Sequence, residues 1–500
     1  MGVVSNIYLI IFLPLICSLF CQAFLKKGLS FWIAFFSSAA LFFLALKIFP
    51  DILVYEKISN DFELSPLSIA LEFKLDILGM TFLLLMIFLK IVILFFYRGD
   101  IEKHLDEKNK RTFYSVFLLH LFSLVGIFTT NNLLNLFLFF EIYAFSFFAT
   151  LSISRDSELL KLSFRYFCLN VISSLIILFC FFSIYLTCGE INFDKISESL
   201  STITEANSWF VASIFLLLTF AFIIKFFPFW LYFEKLKSTN LIANFLAIDA
   251  LFIKTSVGIF LTLKFVYFFF GNHLLFVDFK SAPILIFLSI LLIFYSAIKL
   301  YQQKHLKLIA AYFCLNNLGF IFACIALQTI ESLQALFFYL LNFTLVNLLI
   351  FIFATFLKRH FATSSINRIW IIRQNHFLLV LPLKLLIFFI AAFPLTILFF
   401  ANWYLAYASF NVGLEAFLLI ALAISNFVHA SVAVKLVTSF FSQEGNKHST
   451  EMPQLDFKKY QFYLISFWFL IATIYLASFA SSLTNNLSLR FASYLLSNTI

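Results

Sequence analysis

Five charged residues fall inside or close to long apolar stretches of this 500-residue chain, where a charge is difficult to accommodate. They are Glu141, Arg165, Lys225, Lys254 and Lys384. A charge at the centre of a bilayer costs about 3 kcal/mol on insertion scales. Charged residues at that depth are therefore usually functional, often as parts of an ion or proton pathway.

The acid and the lysines have the chemistry that proton transfer requires. Glu141 lies mid-stretch with no charged neighbour in sequence, and Lys225 and Lys254 fall in two other stretches. Burial in an apolar medium favours the neutral form of either group, so both become usable proton sites. A carboxylate that pairs with a lysine and then releases it can switch that lysine between holding and releasing its proton. The alternative is a static ion pair between helices.

The remaining charged candidates have simpler alternative roles. Arg165 lies near the start of its stretch, where a long side chain can reach the membrane interface. Lys307 begins a later stretch, where it either anchors at the interface or feeds a half-channel, and Lys384 lies near the start of another. Weaker candidates are Lys90, which can also reach the interface, and two residues that fit a satisfied core, His120 and Asp249.

The composition predicts the elements that must position these residues. The chain is 63% hydrophobic and 12% charged, with a mean hydropathy of +1.02. Its apolar stretches reach about 20 residues, the length of a spanning helix, and do not alternate as barrel strands would. We therefore predict an all-α, polytopic membrane bundle of about fourteen transmembrane helices. Their centres fall near residues 15, 40, 87, 121, 142, 175, 220, 254, 291, 317, 344, 390, 425 and 470.

The connections alternate in charge. Basic residues concentrate in alternate loops, such as 98–111 and 358–373, whereas the stretches 51–76 and 190–205 are rich in acids. By the positive-inside rule the basic loops face the cytoplasm or matrix, and both termini lie on the opposite side. The net charge of +9 therefore indicates topology and not nucleic-acid binding. The seven cysteines show no metal-binding spacing.

Two prolines interrupt the seventh and twelfth predicted spans, at Pro228 and Pro394. A proline inside a helix removes a backbone hydrogen bond and breaks or kinks it. An offset of five spans predicts two five-helix repeats of inverted topology, whose pathway lies at the broken helices. The alternative is two unrelated prolines. No connection is long enough for a second domain, so we predict one integral membrane domain over 1–500. Its parts are the N-terminal helices 1–110, repeat one 111–270, repeat two 282–442, and a C-terminal helix and tail 458–500.

Several motifs together resemble a known family. Glu141-Ile-Tyr-Ala-Phe is followed by Arg165-Tyr-Phe, and Lys225 by Pro228-Phe-Trp. Lys254 follows Phe-Leu-Ala-Ile, and the later stretch Gln-Lys-His-Leu-Lys307 begins another span. In order and spacing these motifs resemble the antiporter-like membrane subunits of respiratory complex I, and within them the subunit N type. The resemblance covers about residues 110–440.

The resemblance implies a proton-translocating subunit that uses Glu141, Lys225 and Lys254, with Arg165 in place of a lysine. It implies that this chain holds no redox cofactor, because NADH, FMN, iron–sulfur clusters and quinone belong to partner subunits. It also implies a large hetero-oligomeric complex with other membrane-arm subunits and lipids, and no nucleic acid. The 77 phenylalanines suggest an AT-rich, organellar genome. The expected location is the mitochondrial inner membrane, with a bacterial plasma membrane as the alternative.

The chain departs from the family pattern at three places. Trp230 stands where a histidine is expected, and Asn316 and Asn317 stand where the tenth helix should carry one. The lysine expected about eight residues beyond Pro394 is missing, and Asn402 lies in that stretch. Either Lys384 substitutes for it or the second half conducts differently. Alternative functions are a complex I subunit of the subunit 4 type, a stand-alone cation/proton antiporter and a non-pumping structural subunit.

Overall fold

The computed structural model describes residues 2–23, 28–64, 69–153, 157–201, 205–227, 241–270, 281–361, 364–369, 377–410, 415–441, 471, 474 and 481–497. The chain divides into two compact units. The first comprises residues 1–232, 240–279 and 497–500, and the second comprises residues 233–239 and 280–496. The expectation of one integral membrane domain with four parts stays a prediction.

The first unit contains nine helices and one hairpin within the described residues. In chain order they are α1 (Gly2–Ala23), α2 (Leu29–Tyr55), β1 (Lys57–Leu64), β2 (Ile69–Asp76), α3 (Ile77–His104), α4 (Glu107–Thr129), α5 (Leu133–Ser152), α6 (Ser157–Cys188), α7 (Phe193–Ser201), α8 (Glu205–Phe226) and α9, which is made of Leu241–Ile248, Asp249–Lys254, Thr255–Leu263 and Lys264–Phe269.

The regular elements of the second unit within its described residues are all helical. Its helices are α10 (Ser281–Gln302), α11 (Leu306–Leu327), α12 (made of Ile330–Leu341, Asn342–Val346 and Asn347–Phe361), a 3-10 turn (Ile366–Arg368), α13 (Phe377–Ile390), α14 (Ile397–Phe410), α15 (Glu415–Phe441) and α16 (Ser481–Ser497).

The chain is a polytopic, mostly helical membrane protein. Eleven helices within the described residues are long and apolar enough to cross a membrane, and Ile7–Ala23 and Ile397–Phe410 are shorter apolar helices. Every predicted span centre except the last falls within a described helix. The last, near residue 470, lies outside the described residues. The count of fourteen spans stays a prediction.

The all-α expectation is wrong for residues 57–76. Strands β1 and β2 pair antiparallel, with Lys57 opposite Asp76 and Leu64 opposite Ile69. Strand β2 alternates apolar and charged residues, Leu-Glu-Phe-Lys-Leu-Asp, which is the period of a half-buried strand. The acidic composition of this stretch led to its assignment as a loop, although the alternation was present in the sequence. Where β2 ends, the Asp76 carboxylate accepts a hydrogen bond from the Gly79 amide at 2.5 Å and caps α3.

Two helices contain wider turns of π-helix. In α9 these turns cover Asp249–Lys254 and Lys264–Phe269, and in α12 they cover Asn342–Val346. Such turns occur frequently at functional sites because they shift the side chains that follow. Both turns of α9 contain a buried lysine, Lys254 in the first and Lys264 in the second.

The predicted break at Pro394 is present. Helix α13 ends at Ile390 and α14 begins at Ile397, and between them Ala392 and Leu395 have positive φ angles of 52° and 73°. The Thr396 hydroxyl donates to the Phe393 carbonyl at 2.7 Å and satisfies part of the freed backbone. The other predicted break, at Pro228, lies outside the described residues, and α8 ends before it at Phe226.

Candidate functional site

The first unit brings together two of the predicted site residues, Glu141 on α5 and Lys225 in the last turn of α8. The Lys225 Nζ atom lies 3.0 Å from Glu141 Oε1. Ser174 on α6 completes the group, since its hydroxyl donates to Glu141 Oε1 at 2.6 Å and accepts from Lys225 Nζ at 2.6 Å. Three helices thus supply one charged pair and a hydroxyl that is bonded to both partners.

The two members of the pair differ in exposure. The Lys225 side chain is 1% exposed, whereas that of Glu141 is 23% exposed. On α5 the exposed residues Leu134, Leu138 and Phe145 fall on the same helical face as Glu141. The carboxylate is therefore reachable from the outside of the unit, while the ammonium is enclosed.

Lys254 is fully buried at the end of the first π-helical turn of α9. Its Nζ atom has no hydrogen-bond acceptor among the described residues and lies 3.9 Å from the centroid of the Tyr166 ring. The Phe147 ring centroid lies 5.7 Å away. An aromatic face attracts an ammonium, but it replaces only part of the hydration that burial removes.

A second buried charged cluster consists of Lys90 on α3, His120 on α4 and Asp249 on α9. Lys90 forms an ion pair with Asp249, and its Nζ atom lies 2.7 Å from His120 Nδ1. Because an ammonium can only donate, Nδ1 is the acceptor and His120 carries its proton on Nε2, 3.6 Å from Asp249 Oδ2. All three side chains are buried.

Sequence reasoning assigned these three residues to interface contacts or a satisfied core. Lys90 does not reach the interface, because its ammonium is buried between His120 and Asp249. Two features of the sequence could have indicated this cluster. Lys90 lies well inside α3, and Asp249 lies five residues before Lys254. The His120 ring lies 4.3 Å from the Tyr143 ring and 6.3 Å from the Phe147 ring, the ring that Lys254 also contacts.

Polar contacts link the hairpin to the first turn of α7, which also bonds to the turn between α4 and α5. Lys74 Nζ lies 2.6 Å from Asp194 Oδ1, and Asn131 Nδ2 donates to Asp194 Oδ2 at 3.0 Å. Burial by itself raises the pKa of the Asp194 carboxyl, but the hydrogen bond and charge of Lys74 outweigh it, so the pKa lies below its ordinary value. Nearby, Lys264 Nζ donates to the Thr130 carbonyl at 2.6 Å.

The other predicted site residues lie elsewhere. Arg165 is exposed on α6, although its neighbour Tyr166 is buried against Lys254. In the second unit Lys307 is buried in the first turn of α11, with its Nζ atom 5.8 Å from the Phe351 ring centroid. Lys384 is exposed on α13.

The second unit also contains a neutral polar network. Asn316 on α11 donates to Ser296 Oγ at 3.1 Å and accepts from the Ser425 hydroxyl at 2.8 Å. Asn402, in the stretch that lacks the expected lysine, accepts from Tyr339 at 2.7 Å and donates to Asn426 at 2.8 Å. Together these residues, which come from five helices, form what we call the neutral network: Ser296, Asn316, Tyr339, Asn402, Ser425 and Asn426.

The chain is similar in sequence to known membrane subunits. The family model described as NADH:quinone oxidoreductase/Mrp antiporter, TM, matches residues 130–428. NADH-quinone oxidoreductase subunit N of Wolbachia sp. subsp. Brugia malayi is 24% identical over 319 residues, 63% of this chain and 67% of the relative. The same subunit of Pelagibacter ubique is 26% identical over 330 residues, 65% of this chain and 67% of the relative.

A second group of relatives carries another name. Putative antiporter subunit mnhD2 of Staphylococcus epidermidis is 27% identical over 287 residues, 56% of this chain and 55% of the relative. The chain thus matches about two thirds of the length of the subunit N relatives and about half of the length of the Staphylococcus relatives.

Solved structures share the fold across nearly the whole chain. A chain of the Mrp complex from Dietzia sp. gives a TM-score of 0.82 at 16% identity and covers 99% of this chain and 98% of its own. A chain of respiratory complex I from Thermus thermophilus gives 0.74 at 19% identity and covers 98% of this chain and 99% of its own. At these identities the likeness establishes the fold.

Proposed function

This chain belongs to the NADH:quinone oxidoreductase/Mrp antiporter transmembrane family, and on that premise we propose that it translocates protons as an N-type subunit of an NADH:quinone oxidoreductase membrane arm. The observation that carries the proposal is the Glu141–Lys225 pair, with Lys254 buried in the same unit and without an acceptor among the described residues. A bundle that needed only a static ion pair would have no use for a second buried lysine without an acceptor.

The pair provides a switch. While Glu141 and Lys225 are in contact, the carboxylate favours the protonated lysine. When they separate, Lys225 loses that stabilisation in a low-dielectric site and releases its proton. Ser174 touches both partners and can pass a proton by exchanging its donor and acceptor roles. Lys254, which has no counter-ion within the described part of the chain, is poised to receive a proton only when the local charge or hydration changes.

The Lys90–His120–Asp249 cluster is the proposed supply of protons to this switch. Lys90 lies at the middle of α3, whose last turns belong to the basic 98–111 connection, and Asp249 lies in the first half of α9. By the positive-inside rule the 98–111 connection faces the cytoplasm or matrix. A neutral histidine between an ammonium and a carboxylate can accept a proton at one nitrogen and release it from the other.

The proposal extends to the assembly and the architecture. The chain acts within a large membrane complex, in the mitochondrial inner membrane or a bacterial plasma membrane, beside other membrane-arm subunits and lipids. NADH, FMN, iron–sulfur clusters and quinone are held by partner subunits. The fourteen-helix count and the inverted repeats 111–270 and 282–442 belong to the same proposal, and the break at Pro394 supports them.

A cation/proton antiporter subunit is the second candidate. The similarity to the Staphylococcus antiporter subunits and to the Dietzia Mrp complex fold favours it. The two functions differ in what drives the proton. In the first, NADH oxidation acidifies or alkalinises a vesicle lumen without added sodium, whereas in the second a sodium gradient does so without NADH. A structural subunit that moves no protons would do neither.

The test uses the intact complex reconstituted into vesicles, with proton movement and NADH oxidation measured in parallel. Glu141→Gln and Lys225→Ala should abolish most proton translocation by this subunit, because each removes one partner of the switch. Glu190→Gln is the matched control, since Glu190 forms a surface ion pair with Lys195 at 3.7 Å and both side chains are exposed. Full pumping at a normal oxidation rate in both variants would refute the assignment.

A further inference from the structure

His429 is a buried titratable group in the second unit for which the described protein offers no hydrogen-bond partner. It lies on α15 and is 1% exposed. Neither ring nitrogen has a hydrogen-bond partner among the described residues. Its ring packs against Phe313 of α11, with 4.5 Å between the ring centroids.

A histidine that served only to fill space would not be expected to be buried with both ring nitrogens unpaired among the described residues. Leaving a buried donor or acceptor unsatisfied destabilises the fold, and an imidazole has two such atoms. An aromatic or aliphatic side chain would fill the same space against Phe313 without that cost. Buried polar atoms of this kind are usually satisfied by ordered water, which needs two or more polar partners nearby.

The surroundings of His429 provide such partners. One turn earlier on α15, Ser425 donates to Asn316, and Asn316 lies one turn from Phe313 on α11. Asn317, the next residue of α11, is fully buried and has no partner for either side-chain amide atom among the described residues. Helices α11 and α15 therefore place the polar side chains of Ser425, Asn316 and Asn317 within about one turn of the histidine or of the Phe313 ring that it packs against.

The neutral network cannot hold a charge by itself. Amides and hydroxyls, such as those of Asn316, Ser425 and Asn402, orient water and pass hydrogen bonds, but they do not ionise between pH 5 and 8. Asn402 lies about eight residues beyond Pro394, where the sequence lacks a lysine. Lys384 is exposed on α13, and the described hydrogen bonds of this network do not involve it. His429 lies one turn from Ser425 of this network, ionises in that pH range and has both ring nitrogens without a partner among the described residues.

We propose that His429 is the proton-holding residue of the second unit and acts there in place of the missing α14 lysine. A proton reaches one ring nitrogen through water, and the proton on the other nitrogen then leaves to water. The ring returns to a neutral tautomer, so no net charge is stored in the unit. This inference rests on the proposed function, because it requires that the chain translocate protons.

The test compares two variants of the reconstituted complex, His429→Gln and the control Lys384→Gln. Glutamine keeps hydrogen-bonding atoms but cannot be protonated. A positioned acid–base group typically contributes about 100-fold or more to proton transfer, so His429→Gln should lose most of the protons moved per NADH oxidised. Lys384→Gln should keep them. Loss with Lys384→Gln and not with His429→Gln would overturn the inference in favour of Lys384.

A rescue separates proton transfer from a structural role. The double variant His429→Gln with Asn402→Lys places an ionisable group in the stretch where the sequence lacks one, and it should recover proton movement. A purely structural defect would persist in the double variant and overturn the inference. If Glu141→Gln stops pumping and His429→Gln does not, the inference fails and the proposed function stands. If neither stops it, the proposed function itself fails.

Discussion

Glu141 and Lys225 form an ion pair 3.0 Å long although 84 residues separate them in the chain. They come from different helices, α5 and α8, and meet at a serine of a third. Removing one partner of a buried pair costs about 3–5 kcal/mol, because the other charge is then left uncompensated. The pair is therefore both a structural contact and a sensitive point at which a change of charge alters proton affinity.

The shared hydroxyl gives the first prediction. Ser174→Ala should slow proton translocation without dissociating the complex, since the Glu141–Lys225 contact remains while both bonds to the hydroxyl are lost. Hydrogen bonds to charged groups contribute about 1.5–3 kcal/mol each. Ser173→Ala is the control, because Ser173 is buried on the same helix but donates only to the Asn170 carbonyl at 2.8 Å. Equal pumping rates in the two variants would contradict a relay role.

The buried cluster gives a second prediction, measured as thermal stability in detergent. Asp249→Asn should destabilise the chain by about 3–5 kcal/mol, because it leaves the Lys90 ammonium buried without its counter-ion. Adding Lys90→Met should recover most of the stability while proton translocation stays impaired. Recovery of pumping in this double variant would show that the cluster supplies no protons.

The hairpin contact gives a prediction about pH. The pKa of Asp194 lies below its ordinary value, so the folded state favours the carboxylate. The stabilisation of the folded state by the Asp194 carboxylate is present above the ordinary carboxyl pKa of about 3.9. It is lost as the pH falls through the lower pKa of the folded state. Acidification should therefore loosen the hairpin, seen as faster amide exchange in β2. Asp194→Asn should remove that pH dependence, whereas Glu190→Gln should keep it.

Two glycines provide a prediction about packing. A Cβ at Gly79 would overlap the Phe128 carbonyl oxygen, whereas one at Gly126 would overlap the ring of Phe139. Each change to alanine should lower thermal stability, by about 1–3 kcal/mol for overpacking. Adding Phe139→Leu to Gly126→Ala should recover the lost stability, because the atoms that the new Cβ overlaps belong to the Phe139 side chain. Shortening the Phe128 side chain should not recover the stability lost in Gly79→Ala, because the overlapped atom is the Phe128 backbone carbonyl oxygen. Recovery in that double variant would contradict the described packing around Gly79.

The sequence predicted the spans well because length and apolar content decide whether a segment can cross a bilayer. The hairpin was missed because an acidic composition was given more weight than the alternation of residues 71–76. Local patterns also identified the break at Pro394, since proline acts on the helix that contains it.

The sequence by itself determined that ionisable residues would be buried in a helical membrane bundle, and that Glu141, Lys225 and Lys254 were among the candidates. Only the tertiary structure decided their partners. On α6 the buried Ser163, Tyr166, Asn170 and Ser174 fall on one helical face and exposed Arg165 on another, but this spacing does not show that Tyr166 faces Lys254. Successive residues of a helix point about 100° apart, and the packing of neighbouring helices selects which of them faces a charge. The same selection placed Asp249 beside Lys90 and left Lys254 without an acceptor in the part of the chain that the structure describes.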